Sequence, residues 1–173
     1  MLVNGLTILV VALSLILSAC QTSSYQRSNK GLDVPDPNYQ SNQRYRSNEN
    51  YRARPGLTSR ERFRYALKLL NEDQAAEALV ELETYLLDRP RDARAKRLVK
   101  QITLPTSELY PSKSFPVVLE WGQTLSSLSR DYLGDVFSFY GLAKYNGIPV
   151  STALRVGDTI NIPATPQALA FRE

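Results

Sequence analysis

The chain contains no histidine and only one cysteine, Cys20, among its 173 residues. Without histidine it cannot build a Ser-His-Asp or Cys-His nucleophilic site or a histidine-ligated zinc site, and one cysteine cannot form an intramolecular disulfide. The net charge is only +4, and no long run of Lys and Arg supplies the basic face typical of nucleic-acid binding. We therefore expect a protein without a metal, without a cofactor, without a nucleic-acid partner and without catalytic activity.

An apolar segment runs from residue 6 to residue 19 and is interrupted only by one threonine and two serines. Its length of about 14 residues is short for a membrane-spanning helix, which needs roughly 20, and is typical of the hydrophobic region of a signal peptide. We interpret residues 1–19 as a signal peptide.

The apolar segment ends in Leu17-Ser18-Ala19-Cys20, which resembles the lipobox of bacterial lipoproteins. The resemblance implies cleavage before Cys20 and acylation of its thiol, and several acyl chains anchor a protein stably where one would not. Gln21 follows the cysteine, where an aspartate would resemble the inner-membrane retention signal, and this favours the periplasmic face of the outer membrane. The alternative is an uncleaved anchor that carries a free, buried cysteine.

Residues 20–57 are rich in Ser, Asn, Gln, Arg and Tyr, contain few aliphatic side chains, and have prolines at positions 35, 37 and 55. Such a segment cannot bury enough apolar surface to offset its conformational entropy, which predicts a disordered linker behind the lipid. Tyrosines recur loosely along it, so a binding motif is the alternative.

Apolar side chains at helical spacing predict three helices in residues 58–103, the second over about 74–87 and the third over about 91–102. The segment resembles one tetratricopeptide repeat with a capping helix. The matching small, small, large and proline positions are Ala66, Ala78, Leu82 and Pro90, whereas Arg62 stands where an aromatic residue is usual and Asp73 where glycine is usual.

Charge is unevenly distributed in this segment, with six acids and no bases over residues 72–88, and six bases and one acid over residues 89–100. Packing the second helix beside the third would let the two sets neutralise each other. The alternative is a charged docking surface. A repeat unit is only marginally stable without neighbours, so we expect a protein partner to bind residues 58–103. Dimerisation and docking onto the next module are the alternatives.

Residues 104–114 contain two prolines and are predicted to be a short linker. The pattern beyond them predicts four elements in the order β-α-α-β: a strand over 115–121, a helix from Thr124 to Gly134, a helix from Asp135 to residues 146–147, and a strand over 159–163. Residues 164–173 are predicted to be a tail.

Residues 115–163 resemble the LysM module. The residues that match it in type, order and spacing are Val117, Leu119, Gly122, Thr124, Leu125, Leu128, Tyr132, Leu142, Asn146, Ile148, Leu154, Gly157, Ile160, Ile162 and Pro163. Gln123 stands where aspartate is usual, and Ser129 where alanine is usual. The resemblance implies an α+β protein whose C-terminal βααβ module binds polymers that contain N-acetylglucosamine, chiefly peptidoglycan.

The resemblance also implies where the sugar binds, in a shallow groove between two loops. The first wall would be Gly122, Gln123, Thr124 and Leu125, and the second Gly147, Ile148, Pro149 and Val150. Glycines let a backbone approach a ligand closely. Ordinary core packing is the alternative role of Leu125 and Ile148. Strand alternation predicts that Trp121 points inward, and stacking on a sugar ring is its alternative role.

Three functions are compatible with these features. The predicted one is a non-catalytic outer-membrane lipoprotein that binds peptidoglycan and tethers the envelope or a partner protein to the cell wall. The second is an adaptor or assembly factor for an envelope machine or a cell-wall hydrolase, with wall binding only localising it. The third, a hydrolase, is disfavoured because the chain lacks histidine and has no domain large enough for a catalytic cleft.

Overall fold

A computed structural model describes residues 51–172. The described chain contains seven α-helices, one 3₁₀ turn and a two-stranded antiparallel sheet, so the α+β class is confirmed at this level. The elements are α1 (Ser59–Asn71), α2 (Ala75–Asp88), α3 (Ala93–Thr103), α4 (Thr106–Leu109), β1 (Ser114–Val118), α5 (Leu125–Leu133), the 3₁₀ turn (Val136–Ser138), α6 (Phe139–Tyr145), β2 (Thr159–Pro163) and α7 (Pro166–Arg172).

Several predictions fall on residues 1–50, which lie outside the described part of the chain. They are the signal peptide over residues 1–19, the lipidation of Cys20 and most of the predicted linker over 20–57. From residue 51 to residue 172, no helix has the length and apolarity needed to cross a membrane.

The first three helices form where the periodicity predicts them. α1 begins with a capping box, in which the Thr58 hydroxyl accepts from the Glu61 N–H and the Glu61 carboxylate accepts from the Thr58 N–H. α1 packs on α2, and α2 packs on α3. The apolar side chains buried between them are Phe63, Ala66, Leu69, Leu70, Ala78, Leu82, Tyr85, Ala95, Leu98 and Ile102. Removal of this apolar surface from water stabilises the helical segment.

A charged cluster lies inside this helical core. Glu81 of α2 is fully buried, and Arg62 of α1 donates to its carboxylate over 2.5 Å. The Tyr51 hydroxyl and the Arg54 N–H donate to the same carboxylate, each over 2.7 Å. Burial and the adjacent Glu81 carboxylate raise the pKa of Tyr51. Residues 51–57 have no regular secondary structure, yet these bonds attach them to α2, so packed chain begins inside the segment predicted as linker.

The C-terminal half is built on the pairing of β1 with β2. Phe115 lies opposite Ile162 and Val117 opposite Ile160, and all of these except the half-buried Val117 are buried. α5 ends at Gly134, whose φ of +74° is the left-handed conformation that favours glycine. The second predicted helix is divided into the 3₁₀ turn and α6.

The two halves share one apolar core, because α3 packs on α6 and on the 3₁₀ turn. Gln101 of α3 is buried at this contact, where its Oε1 accepts from the Gly141 N–H over 2.5 Å and its Nε2 donates to the Phe137 carbonyl over 2.9 Å. A side chain at Gly141 would collide with Gln101 and with the Tyr110 hydroxyl. The close approach of α3 and α6 therefore depends on glycine at this position.

The predicted linker over residues 104–114 is also packed. It contains α4, and the Tyr110 ring contacts the Tyr145 ring edge-on with centroids 5.7 Å apart. Burial raises the pKa of Tyr110 to about 12. The ammonium of Lys144 donates to the carbonyls that end α3, including that of Leu104 over 2.7 Å. All described residues accordingly belong to a single compact unit.

The predicted tail over residues 164–173 contains a helix. Ala168 of α7 is fully buried, and the Phe171 ring meets the Tyr132 ring of α5 edge-on with centroids 4.8 Å apart. The Arg172 guanidinium lies 4.9 Å from the centre of the Phe115 ring. The packed region therefore extends beyond residue 163, where the predicted module ends.

Ser129 of α5 is fully buried, and its hydroxyl has no hydrogen-bond partner in the described structure. An unpaired buried hydroxyl is destabilising, so we expect Ser129→Ala to raise the free energy of unfolding by about 1 kcal/mol. Thermal denaturation followed by circular dichroism measures the change. Ser127→Ala is the matched control, and it is expected to lower the stability because the Ser127 hydroxyl accepts from the Thr124 N–H over 2.8 Å. A lower melting temperature for Ser129→Ala would contradict the assignment.

Candidate functional site

The first predicted wall is a tight loop between β1 and α5. Gly122 is exposed at φ +79°, and nothing lies within 4 Å of the place where a Cβ would be. Gln123 closes the loop, since its Oε1 accepts from the Glu120 N–H over 2.9 Å and its own N–H donates to the Glu120 carbonyl over 3.2 Å. Gln123 thus has a structural role in this loop.

Thr124 and Leu125 are held by the start of α5. The Thr124 hydroxyl accepts from the Ser127 N–H over 3.1 Å, and the Thr124 N–H donates to the Ser127 hydroxyl. Leu125 is buried in the core. The exposed residues of this wall are Gly122 and Thr124, and the exposed Trp121 lies next to it.

The prediction that Trp121 points inward is wrong. Its side chain is 91% exposed, because β1 ends at Val118 and the chain turns before the strand alternation can reach residue 121. Two other exposed apolar side chains lie close in the fold. Val118 ends β1, and Val156 precedes Gly157, whose N–H donates to the Leu119 carbonyl over 2.9 Å. Three exposed apolar side chains thus lie on neighbouring segments at this end of the sheet.

The second predicted wall follows α6. Gly147 has a φ of +63°, and Ile148, Pro149 and Val150 are half-buried against the core. The backbone N–H groups of this wall already have acceptors within the protein. Those of Gly147 and Ile148 donate to carbonyls of α6, and the Val150 N–H donates to the Asp73 carboxylate over 2.7 Å. This wall therefore offers a ligand its apolar side chains and carbonyls rather than free N–H groups.

Asp73 contacts the second wall, and the sequence analysis did not identify it as part of the candidate site. It lies in the turn between α1 and α2 at φ +58°, a conformation that favours glycine, and its carboxylate accepts from the Val150 N–H and from the N–H and hydroxyl of Ser151. The only signal in the sequence was that Asp73 stands where the repeat that this segment resembles usually has glycine. The helical segment thus holds the second wall in place.

Asn146 connects the same loop to the sheet. Its Nδ2 donates to the Leu142 and Asn161 carbonyls, each over 2.9 Å, and its Oδ1 accepts from the Asn161 N–H over 2.7 Å. Leu125 and the second wall contribute to the same apolar core, but no hydrogen bond joins the two walls in the described structure. The structure therefore places both walls on one core without showing a contact between them.

Within residues 51–172, no group of three or more Cys, Asp or Glu side chains is arranged to hold a metal ion. Comparison of the chain with protein families, with curated proteins and with solved structures finds no match.

Proposed function

We propose that the protein is a non-catalytic outer-membrane lipoprotein that binds peptidoglycan and tethers the envelope, or a partner protein, to the cell wall. Residues 115–163 would be a LysM module, and acyl chains on Cys20 would supply the membrane anchor. The proposal is supported by the matching residues along the module and by the order β1-α5-α6-β2, which agrees with the expected βααβ arrangement. The lipid part rests on the sequence around Cys20 alone.

The observation that carries the glycan part of the proposal is the exposure of Trp121 beside the open backbone of Gly122. The flat apolar face of an exposed tryptophan suits the apolar face of a pyranose ring. Ile148 and Val150 would cover the acetamido methyl group from the second wall. Such binding needs no charge on the protein, so we expect it to persist in salt.

Trp121 is the only tryptophan in the chain, and it is exposed, so its fluorescence reports directly on this loop. We expect titration with N-acetylglucosamine oligomers to shift its emission to shorter wavelength. We also expect Trp121→Ala to weaken the capture of the full-length protein by purified sacculi roughly tenfold, which corresponds to a contact of about 1.4 kcal/mol.

The matched control is Leu87→Ala, which removes another exposed apolar side chain, 82% exposed at the end of α2. Neither substitution removes a core contact, so circular dichroism should be unchanged in both variants. If Trp121→Ala binds sacculi as well as Leu87→Ala does, Trp121 has no part in wall binding. If the parent protein ignores both sacculi and sugar oligomers, the wall-binding function itself is wrong.

The adaptor function is the second candidate, and one observation favours it. Four arginines that line a cavity in the helical segment have no ion-pair partner within residues 51–172. A tether needs only a wall site and an anchor, whereas an adaptor also needs a surface for a second protein.

A further inference from the structure

A cavity of about 650 Å³ lies in the helical segment, between the start of α1, the end of α2 and the turn into α3. Its volume is within the range of ligand pockets, roughly 300–1,000 Å³. Five arginines line it: Arg60, Arg64, Arg89, Arg91 and Arg94. Phe63, Tyr85 and Pro90 supply an apolar part of the lining. The cavity therefore combines concentrated positive charge with apolar surface.

One arginine of the cavity is already neutralised. Arg94 donates to Asp92 over 2.6 Å, and the Tyr85 hydroxyl donates to the same carboxylate over 2.7 Å. The hydrogen bond from Arg94 holds the pKa of Asp92 well below its usual range. The guanidinium of Arg94 also lies 4.9 Å from the centre of the Phe63 ring. Arg94 and Asp92 thus form a fixed edge of the cavity.

The other four arginines have no such partner. No ion pair of the described chain includes Arg60, Arg64, Arg89 or Arg91. The one remaining acid of the lining, Asp88, accepts from the Ser59 hydroxyl over 3.2 Å. Apart from the Arg94–Asp92 pair, the cavity is therefore lined by four positive charges and one negative charge.

The sequence offered a simpler account, in which the acids of residues 72–88 neutralise the bases of residues 89–100. α2 does pack on α3, but no ion pair in the described chain joins those two sets. Glu81 is instead buried against Arg62 of α1, and Asp73 reaches the loop at Val150. The bases next to the cavity thus lack the partners that the sequence pattern suggested.

We propose that this cavity binds an acidic segment of a protein partner. Guanidinium groups bind carboxylates through paired, charge-assisted hydrogen bonds, and arginines on two sides of a recess can hold carboxylates on either side of an apolar residue. That apolar residue would contact Pro90, the exposed apolar member of the lining, because Phe63 and Tyr85 are buried in the helical core. The proposal gives the partner-binding part of the proposed function a site and a chemistry, and it does not depend on glycan binding.

The shape and charge of the site favour this occupant over others. A flat membrane surface would meet the rim of the cavity and leave its interior unfilled. The chain's own residues 21–50 are not complementary, since they contain four bases, Arg27, Lys30, Arg44 and Arg46, against the three acids Asp33, Asp36 and Glu49. An acidic peptide with an interposed apolar side chain satisfies both parts of the lining.

The test uses full-length protein and a short fluorescein-labelled peptide of alternating glutamate and leucine, with binding followed by fluorescence anisotropy. We expect saturable binding that weakens steeply as salt is raised, because the arginines are solvent-accessible. We expect the double variant Arg64→Ala/Arg91→Ala to bind the peptide roughly tenfold more weakly or worse, because two charge-assisted contacts are lost. The control Lys96→Ala/Lys100→Ala makes the same change in charge on exposed positions of α3 outside the cavity, and its binding should stay close to the parent's.

Equal loss in both double variants would overturn the proposal, since it would show attraction to net charge alone. Equal binding of a peptide with glutamine in place of glutamate would overturn it as well. Displacement of the peptide by phosphatidylglycerol vesicles or by an oligonucleotide, but not by unlabelled peptide, would assign the cavity to those anions instead. Sacculus capture by the arginine variant is measured in parallel and should be unchanged, so failure of this proposal and failure of wall binding give different results.

Discussion

Glu81→Ala is expected to lower the free energy of unfolding by about 3 kcal/mol or more, the usual range for breaking a buried ion pair from one side. The substitution leaves the Arg62 guanidinium, whose side chain is only 10% exposed, without its counter-charge. It also removes the acceptor of the Tyr51 hydroxyl and the Arg54 N–H. Urea denaturation followed by circular dichroism measures the loss.

A second measurement separates this cluster from ordinary packing. Residues 51–57 are attached through Glu81, so trypsin should cut after Arg52 faster in Glu81→Ala than in the parent. Glu83→Ala is the matched control, because Glu83 lies on the same helix and is exposed. A loss of stability below about 1 kcal/mol, within the range of exposed pairs, would show that the cluster contributes little.

Gln101→Leu is expected to destabilise the protein by about 2–3 kcal/mol, because it leaves the Gly141 N–H and the Phe137 carbonyl buried without partners. Leucine and glutamine have similar volumes, so the loss of stability comes from the missing hydrogen bonds and not from a cavity. Gln74→Leu is the control, since Gln74 is exposed and its side chain makes no capping hydrogen bond.

The same variant tests whether the two halves fold as one unit. Gln101 belongs to α3 and bonds to the chain around α6, so its loss should lower amide protection in residues 59–103 and in residues 125–163 together. We expect a single unfolding transition in parent and variant alike. Separate transitions for the two halves, with only one of them shifted, would contradict the shared core.

Local patterns in the sequence predicted much of the secondary structure. Thr58 and Thr124 begin helices because their hydroxyls accept from N–H groups of the first turn, and Gly134 ends one by adopting a left-handed conformation. These are interactions between residues a few positions apart, so the sequence displays them directly. The strand over 159–163 was predicted and is confirmed with the same bounds.

The parts that were not predicted depend on contacts between distant residues. The segments around Tyr110 and Ala168 have no strong local pattern, and they are ordered by packing against α6 and α5. The orientation of Trp121 could not be derived from alternation, because the strand's end is set by where its partner strand ends. Of the candidate site, the loop positions came from the sequence, whereas the use of the Val150 amide by Asp73 required the structure.

The hydrogen bond between Asp73 and Val150 also bears on the order in which the protein folds. It joins residues 77 positions apart, whereas α1 and α2 meet across a short turn. The entropy lost on closing a loop grows with its length, so contacts between neighbouring helices form readily and this one requires most of the described chain to be in place. We therefore expect the second wall to acquire its final shape late, after the helical segment that holds it has folded.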